Sequence, residues 1–95
     1  MRVAEAIRTE LERTLAPEHL EIIDESHRHA GHAGARPEGE SHFRLVVVAR
    51  AFDGVSRIER QRLVHAALAD LLREDIHALQ INAFTPAEWQ ARQSA

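Results

Sequence analysis

Residues 41–72 contain, in order, a β-branched run, a single glycine and an apolar helical repeat. The run SHFRLVVVAR places Phe43, Leu45 and Val47 on alternate positions, which is typical of a strand with at least one buried face. Gly54 follows where the chain must reverse sharply, and glycine adopts a positive φ without steric cost. Ser56 and Glu59, with capping-box spacing, predict a helix start. The strand and the helix are therefore expected to pack on each other.

The predicted helix carries one apolar stripe at helical spacing. The members of the stripe are Leu63, Val64, Ala67, Leu68, Leu71 and Leu72. This stripe is the face of the helix that we expect to contact the sheet.

The other periodic segments are shorter and flank this unit. They predict a helix over residues 1–15, strands over residues 19–26 and 76–83, and a final helix from Thr85 onward. Pro17 ends the first helix, because the residue before a proline avoids the α region. The order helix, strand, strand, helix, strand, helix predicts a single α+β domain over residues 1–95, with a three-stranded sheet covered by helices.

Residues 27–40 differ in composition from the rest of the chain. They contain three histidines, three glycines and no large apolar residue, which predicts a flexible loop between the first two strands. His27, His29 and His32 form an H-x-H-x-x-H pattern. The pattern allows two interpretations, a site for a transition metal or a solvated loop.

Composition excludes several classes of function. The chain has no cysteine, so it forms no disulfide, performs no thiol catalysis and builds no cysteine-ligated metal site of its own. Its net charge of −3 provides no overall attraction to nucleic acid. No apolar run approaches the roughly 18 residues of a membrane span, and no signal peptide is evident. We therefore predict a cytoplasmic protein without membrane contact.

Another histidine stands at the start of the last predicted strand. Strand alternation places His77 on the same face as Leu79 and Ile81, which should be the core face. A histidine at that position is either a core residue with a hydrogen-bond partner or part of a site. The residue pattern alone leaves both open.

Arginines crowd the start of the predicted helix. Arg57, Arg60 and Arg62 lie within its first two turns, and Arg50 lies just upstream. Arginine binds phosphate oxygens bidentately, so these residues are candidates for contact with duplex DNA. The alternative is a solvated helix face with local ion pairs, for instance between Arg60 and a nearby carboxylate.

Several motifs resemble the BolA family. Phe52, Gly54, Arg60 and Val64 match its F-x-G-(five residues)-R-(three residues)-V signature. Further similar segments are LEIIDES, SHF, IHAL and TPAEW, at residues 20–26, 41–43, 76–79 and 85–89. The resemblance extends from about residue 11 to residue 89. It implies a fold like a type II KH domain, without a functional nucleotide-clamping loop, because the G-x-x-G at residues 31–34 lies between two strands.

The resemblance also implies a function. BolA-like proteins are non-enzymatic and share a 2Fe–2S cluster with a monothiol glutaredoxin, in cluster assembly, trafficking or sensing. The histidine of their I/V-H-A-L motif is a cluster ligand, which implies His77. One loop histidine or cysteine is the other, which implies His29, with His32 in reserve.

Two imidazoles cannot complete the four-ligand set of a 2Fe–2S cluster, and this chain has no thiolate. The missing ligands must come from a partner. The resemblance implies a heterodimer in which the glutaredoxin contributes a cysteine and bound glutathione. Alone, the protein is expected to hold no cofactor and to be a monomer or weak homodimer.

The family has also been described as transcriptional regulators. The resemblance therefore implies an alternative function, DNA binding through the turn and helix of residues 54–64. In that function Arg50, Arg57, Arg60 and Arg62 would contact duplex DNA.

Overall fold

The computed structural model describes residues 2–25 and 41–94. Its elements are α1 (Arg2–Leu15), β1 (His19–Asp24), β2 (His42–Val48), a 3-10 turn (Arg50–Phe52), α2 (Arg57–Ala67), α3 (Ala69–Glu74), β3 (Ala78–Phe84) and α4 (Pro86–Ser94). The predicted α+β class and the order of the strands are confirmed. The loop predicted at residues 27–40, with His27, His29 and His32, lies outside the described residues. None of the helices in the described ranges is long and apolar enough to cross a membrane.

The three strands form one mixed sheet in the order β1-β2-β3. β1 runs antiparallel to β2, and β3 runs parallel to it. Because β1 ends where β2 begins and β3 starts beside β2, one end of the sheet collects the end of β1 and the starts of both other strands. This arrangement positions the candidate site.

The core lies between one face of the sheet and the helices. Phe43, Leu45 and Val47 alternate along β2 and are almost fully buried on this face. The helices contribute Val3, Ile7, Leu11, Leu15, Val64 and Leu68. On the opposite face, α4 places the ring of Trp89 5.0 Å from that of His19 and 5.5 Å from that of Phe84.

The turn and the start of α2 follow the prediction. Gly54 has a φ of 72°, in the left-handed region that favours glycine. The Ser56 hydroxyl caps α2 by accepting a hydrogen bond from the Glu59 N–H at 3.3 Å. The carboxylate of Glu59 accepts from Arg62.

The single helix predicted after this turn is interrupted. Leu68 has φ −107° and ψ 16°, so α2 ends there and α3 begins at the next residue. The buried side of this segment follows Arg60, Val64 and Leu68, at a spacing of four residues. Leu63 is one position off that line and is 39% exposed. The prediction that Leu63 belongs to the buried stripe is therefore wrong.

Candidate functional site at the histidine end of the sheet

Glu25, Ser41, His42 and His77 meet where β1 ends and β2 and β3 begin, and we call this the histidine end. The Glu25 N–H donates to the His42 carbonyl at 2.8 Å. The Ser41 carbonyl accepts from the N–H groups of His77, at 2.7 Å, and Ala78, at 3.3 Å. Glu25 and Ser41, the described residues on either side of residues 26–40, therefore both lie at this end.

His77 is exposed and lies directly before β3. The prediction that it shares the core face with Leu79 and Ile81 is wrong. Strand alternation starts only at Ala78, because two successive N–H groups, those of His77 and Ala78, donate to one carbonyl. The buried residue at this point is instead Ile76, which is 5% exposed.

A second histidine lies beside His77. The ring centroids of His42 and His77 are 6.3 Å apart and the rings are inclined by 27°. His42 is buried, and its Nδ1 forms a 2.8 Å hydrogen bond with the hydroxyl of Ser41. The parallel register, which pairs His42 with Ala78, brings the two imidazoles together. Residue patterns did not single out His42; its one signal was the family-like motif at residues 41–43.

The histidine end offers imidazole nitrogens as donor groups. Imidazole is the commonest protein ligand for transition metals. Within residues 2–25 and 41–94, no three histidine, aspartate or glutamate side chains cluster closely enough to hold a metal ion. The whole chain lacks cysteine. Among the described residues, His77 is thus an exposed imidazole without a complete set of metal ligands around it.

Arg60 is buried in the fold rather than presented to solvent. Its Nε donates to the Val55 carbonyl at 2.8 Å and its Nη1 to the Ala83 carbonyl at 3.2 Å. Both terminal nitrogens also donate to the carboxylate of Glu88, at 2.7 and 3.3 Å. Its side chain is 9% exposed. Arg60 is therefore not available to an external phosphate, and the carboxylate interpretation of this residue is the one that the structure supports.

The other three arginines remain on the surface. Arg50 lies 3.3 Å from a carboxylate oxygen of Glu18, and Arg62 pairs with Glu59. Arg57 is exposed and forms no ion pair with a carboxylate of the described residues. The structure thus does not bring the four arginines together as one external surface.

Glu88 has two functions at the start of α4. Its carboxylate accepts from the N–H of Thr85 at 2.9 Å while its own N–H donates to the Thr85 hydroxyl at 3.1 Å, which completes a capping box. The hydrogen bond from Arg60 is the main cause that lowers the pKa of Glu88 from 4.5 to about 2, and the hydrogen bond from Thr85 adds to it. Glu88 is therefore ionised at neutral pH and neutralises Arg60.

The mixed three-stranded sheet and its histidine end define a small α+β domain that presents an imidazole at one edge. The chain belongs to the BolA family: the family model described as BolA-like protein matches residues 11–88. The predicted family is thus confirmed.

The relatives agree with this family membership. The chain is 52% identical over 88 residues to BolA-like protein 1 of Homo sapiens, an alignment that covers 93% of this chain and 61% of that protein. It is 37% identical over 93 residues to the DNA-binding transcriptional regulator BolA of Escherichia coli (strain K12), covering 98% and 85%. The chain therefore spans about three fifths of the length of BolA-like protein 1.

A solved structure supports the fold. The BolA domain of SufE1 from Arabidopsis thaliana superposes with a TM-score of 0.80 at 46% identity, covering 90% of this chain and 93% of that one. The predicted arrangement of a small sheet with helices is confirmed by this match. The likeness to a type II KH domain stays a prediction.

Proposed function

We propose that this domain is a non-enzymatic cytoplasmic partner of a monothiol glutaredoxin, with which it shares a 2Fe–2S cluster during cluster assembly, trafficking or sensing. One observation carries the proposal: His77 presents an exposed imidazole at the end of the sheet, in a chain without cysteine. A side chain in that position can ligate a metal that is held mainly by another protein. The motif around His77 is also among those that resemble the family.

The second ligand that we propose from this chain is His29, with His32 in reserve. His29 follows Glu25 by four residues, over which a chain spans at most about 14 Å. Glu25 is itself hydrogen-bonded to His42 at the histidine end. This short sequence separation from a residue of the histidine end is what favours His29 over His32 in the proposal. A cysteine of the glutaredoxin and its bound glutathione would supply the remaining ligands.

The proposed roles of the histidines follow from the chemistry of imidazole. A 2Fe–2S cluster supplies one-electron redox chemistry and an iron–sulfur unit that can be passed on. Imidazole ligands give such a cluster a higher potential than thiolates do. Imidazole binds metal only in its neutral form, so protonation of His77 favours release. These properties suit transfer or sensing better than storage.

The experiment is anaerobic co-purification with a monothiol glutaredoxin, glutathione and iron, read by visible circular dichroism. We expect the heterodimer to give a spectrum that differs from that of the glutaredoxin homodimer, and His77→Ala to abolish the difference. His65→Ala is the matched control, because His65 is also exposed but lies on α2. That variant should keep the wild-type spectrum.

The outcome that would contradict the ligand assignment is a His77→Ala heterodimer with wild-type cluster stoichiometry and spectrum. Far-ultraviolet circular dichroism of each variant checks that the fold is intact. Since the His77 side chain is exposed, we expect its removal to leave the free energy of unfolding within about 0.5 kcal/mol of wild type.

The second candidate function is DNA binding at the start of α2. It is favoured by the function for which the Escherichia coli relative is named and by the exposure of Arg50, Arg57 and Arg62. Arg57→Ala and Arg62→Ala should each weaken binding to duplex DNA and reduce the slope of log K against log salt by about one. Arg8→Ala, an exposed arginine on α1, should not.

Equal salt slopes for wild type and both α2 variants, or no salt-sensitive binding to duplex DNA, would contradict this second function. Arg60 is left out of the test because it is buried. Its replacement would alter the fold before it altered a surface contact.

A further inference from the structure

A groove of about 370 Å³ lies between α2, the outer edge of β3 and α4. It occupies the end of β3 opposite the histidine end: Ala83 follows His77 by six residues, roughly 20 Å at the rise of a strand. This α2–β3–α4 groove is therefore separate from His77. An inference drawn from it does not depend on the proposed function.

The charge of the groove is positive although the chain as a whole is acidic. Arg57 on α2 and Arg92 on α4 line it, and both are exposed. Neither makes an ion pair with a carboxylate within residues 2–25 and 41–94, although the charge of Arg57 helps to lower the pKa of Glu88. Glu88, the carboxylate in the groove, is already bound through both oxygens by the buried Arg60. Two arginines are thus left to attract an anionic ligand.

The floor of the groove is partly apolar. Phe84 and Ala91 contribute to it, whereas Ile81 is only 8% exposed and belongs to the core, and the guanidinium carbon of Arg92 lies 4.8 Å from the centroid of the Phe84 ring. A bare inorganic anion would use the arginines but leave this apolar surface uncovered. The lining is therefore better matched by a ligand that carries both carboxylates and apolar groups.

The edge of β3 adds backbone donors to the groove. The Ile81 carbonyl accepts from the side-chain amide of Gln61 at 3.0 Å and the Ala83 carbonyl accepts from Arg60, so both carbonyls point away from β2. In a strand, the N–H of a residue points to the same side as its carbonyl. The N–H groups of Ile81 and Ala83 therefore point to this outer edge, beside the side chains of Gln61 and Arg60, and are the donors that the edge offers to an extended peptide backbone.

We propose that the α2–β3–α4 groove binds an acidic, extended peptide segment of a partner protein. Carboxylates of the segment pair with Arg57 and Arg92, and an apolar side chain between them covers the floor formed by Phe84 and Ala91. Charge complementarity selects the acidic residues, and the strand edge selects a peptide over a nucleic acid.

The test is nuclear magnetic resonance titration of the ¹⁵N-labelled chain with the peptide acetyl-Glu-Leu-Glu-Leu-Glu-amide. We expect saturable shifts at the backbone amides of residues 81–84 and at the side-chain amides of Gln61 and Asn82. Arg57→Gln and Arg92→Gln should each weaken binding about tenfold, the loss of one charge-assisted contact. A peptide with glutamine in place of each glutamate should bind the wild-type chain at least about tenfold more weakly than the acidic peptide does.

Two variants are matched controls. Arg62→Gln removes an exposed arginine of the same helix that pairs with Glu59 outside the groove, and His77→Ala alters only the histidine end. Both should bind the peptide as wild type does, which separates this result from that of the glutaredoxin experiment.

Three outcomes would overturn the proposal. The first is equal affinity in the Arg57→Gln and Arg92→Gln variants, and the second is a set of shifts that maps outside the groove. The third is no binding at millimolar peptide concentration. This outcome overturns the proposal also when inorganic phosphate or duplex DNA shifts the same amide signals.

Discussion

Replacing Glu88 with alanine is expected to lower the free energy of unfolding by roughly 2–4 kcal/mol at neutral pH. The substitution leaves the guanidinium of Arg60, whose side chain is 9% exposed, without its counter-ion. It also removes the capping box with Thr85. The expected loss is smaller than for a fully buried pair, because the Glu88 side chain is 43% exposed and water partly screens the interaction. Urea denaturation at pH 7 measures it.

Glu59→Ala is the matched control, because Glu59 also pairs with an arginine of α2 but the side chains are 52% and 68% exposed. We expect it to cost at most about 1 kcal/mol, including any effect on the first turn of the helix. Equal losses of unfolding free energy for Glu88→Ala and Glu59→Ala would contradict the view that the buried Arg60 holds α2, β3 and α4 together through its hydrogen bonds.

The same ion pair predicts how stability depends on pH. The pKa of Glu88 is about 2 in the folded protein and 4.5 as its ordinary value, so the unfolded chain binds more protons between these values. The stabilisation is complete above pH 4.5 and is lost as the pH falls through 2. The difference in unfolding free energy between wild type and Glu88→Gln should therefore shrink as the pH falls from 4.5 to 2. A constant difference over that range would contradict the lowered pKa.

The second large effect is expected at Leu68, which is 1% exposed and ends α2. Leu68→Ala removes buried methyl groups and leaves a cavity in the core, which costs about 2–5 kcal/mol. Leu63→Ala makes the same chemical change five residues earlier, at a side chain that is 39% exposed. We expect that variant to lose less than about 1 kcal/mol. Urea denaturation of both variants provides the comparison.

The denaturant dependence of unfolding checks that comparison. Similar m-values in wild type and both variants would show that the difference arises in the folded core. Comparable losses of unfolding free energy for Leu63→Ala and Leu68→Ala would mean that Leu63 is packed in the core. That result would agree with the predicted continuous stripe and contradict the break at Leu68.

These two residues illustrate what the residue pattern could predict. The alternation in residues 43–49 and the cap at Ser56 depend on local geometry, so the strand and the helix start were predictable. The predicted stripe assumed an uninterrupted helix. In the structure the buried side follows Arg60, Val64 and Leu68, and the helix is interrupted at Leu68. A helical repeat defines a broad face but not which residues at its margin are buried.

The features that sequence patterns missed depend on distant parts of the chain. A carboxylate partner for Arg60 was one of two alternatives, but its burial was not predicted, because the partner Glu88 lies 28 residues later and accepts hydrogen bonds from both terminal nitrogens. His42 and His77 meet because β2 and β3 pair in parallel with a particular register. The exposure of His77 depends on a single carbonyl shared by two N–H groups. None of these contacts has a short-range signal, and only the family-like motifs drew attention to the segments that make them.

The shared carbonyl of Ser41 also determines how the imidazole of His77 is presented. Two hydrogen bonds fix the backbone of residues 77 and 78 to the start of β2, while the side chain stays in solvent. A metal or a partner protein that binds this imidazole therefore has to restrict only the side-chain rotamers of His77, since its main chain is already held by hydrogen bonds. Preorganisation of this kind reduces the entropic cost of association. His77 is thus held as a rigid docking point for whatever approaches that edge of the sheet.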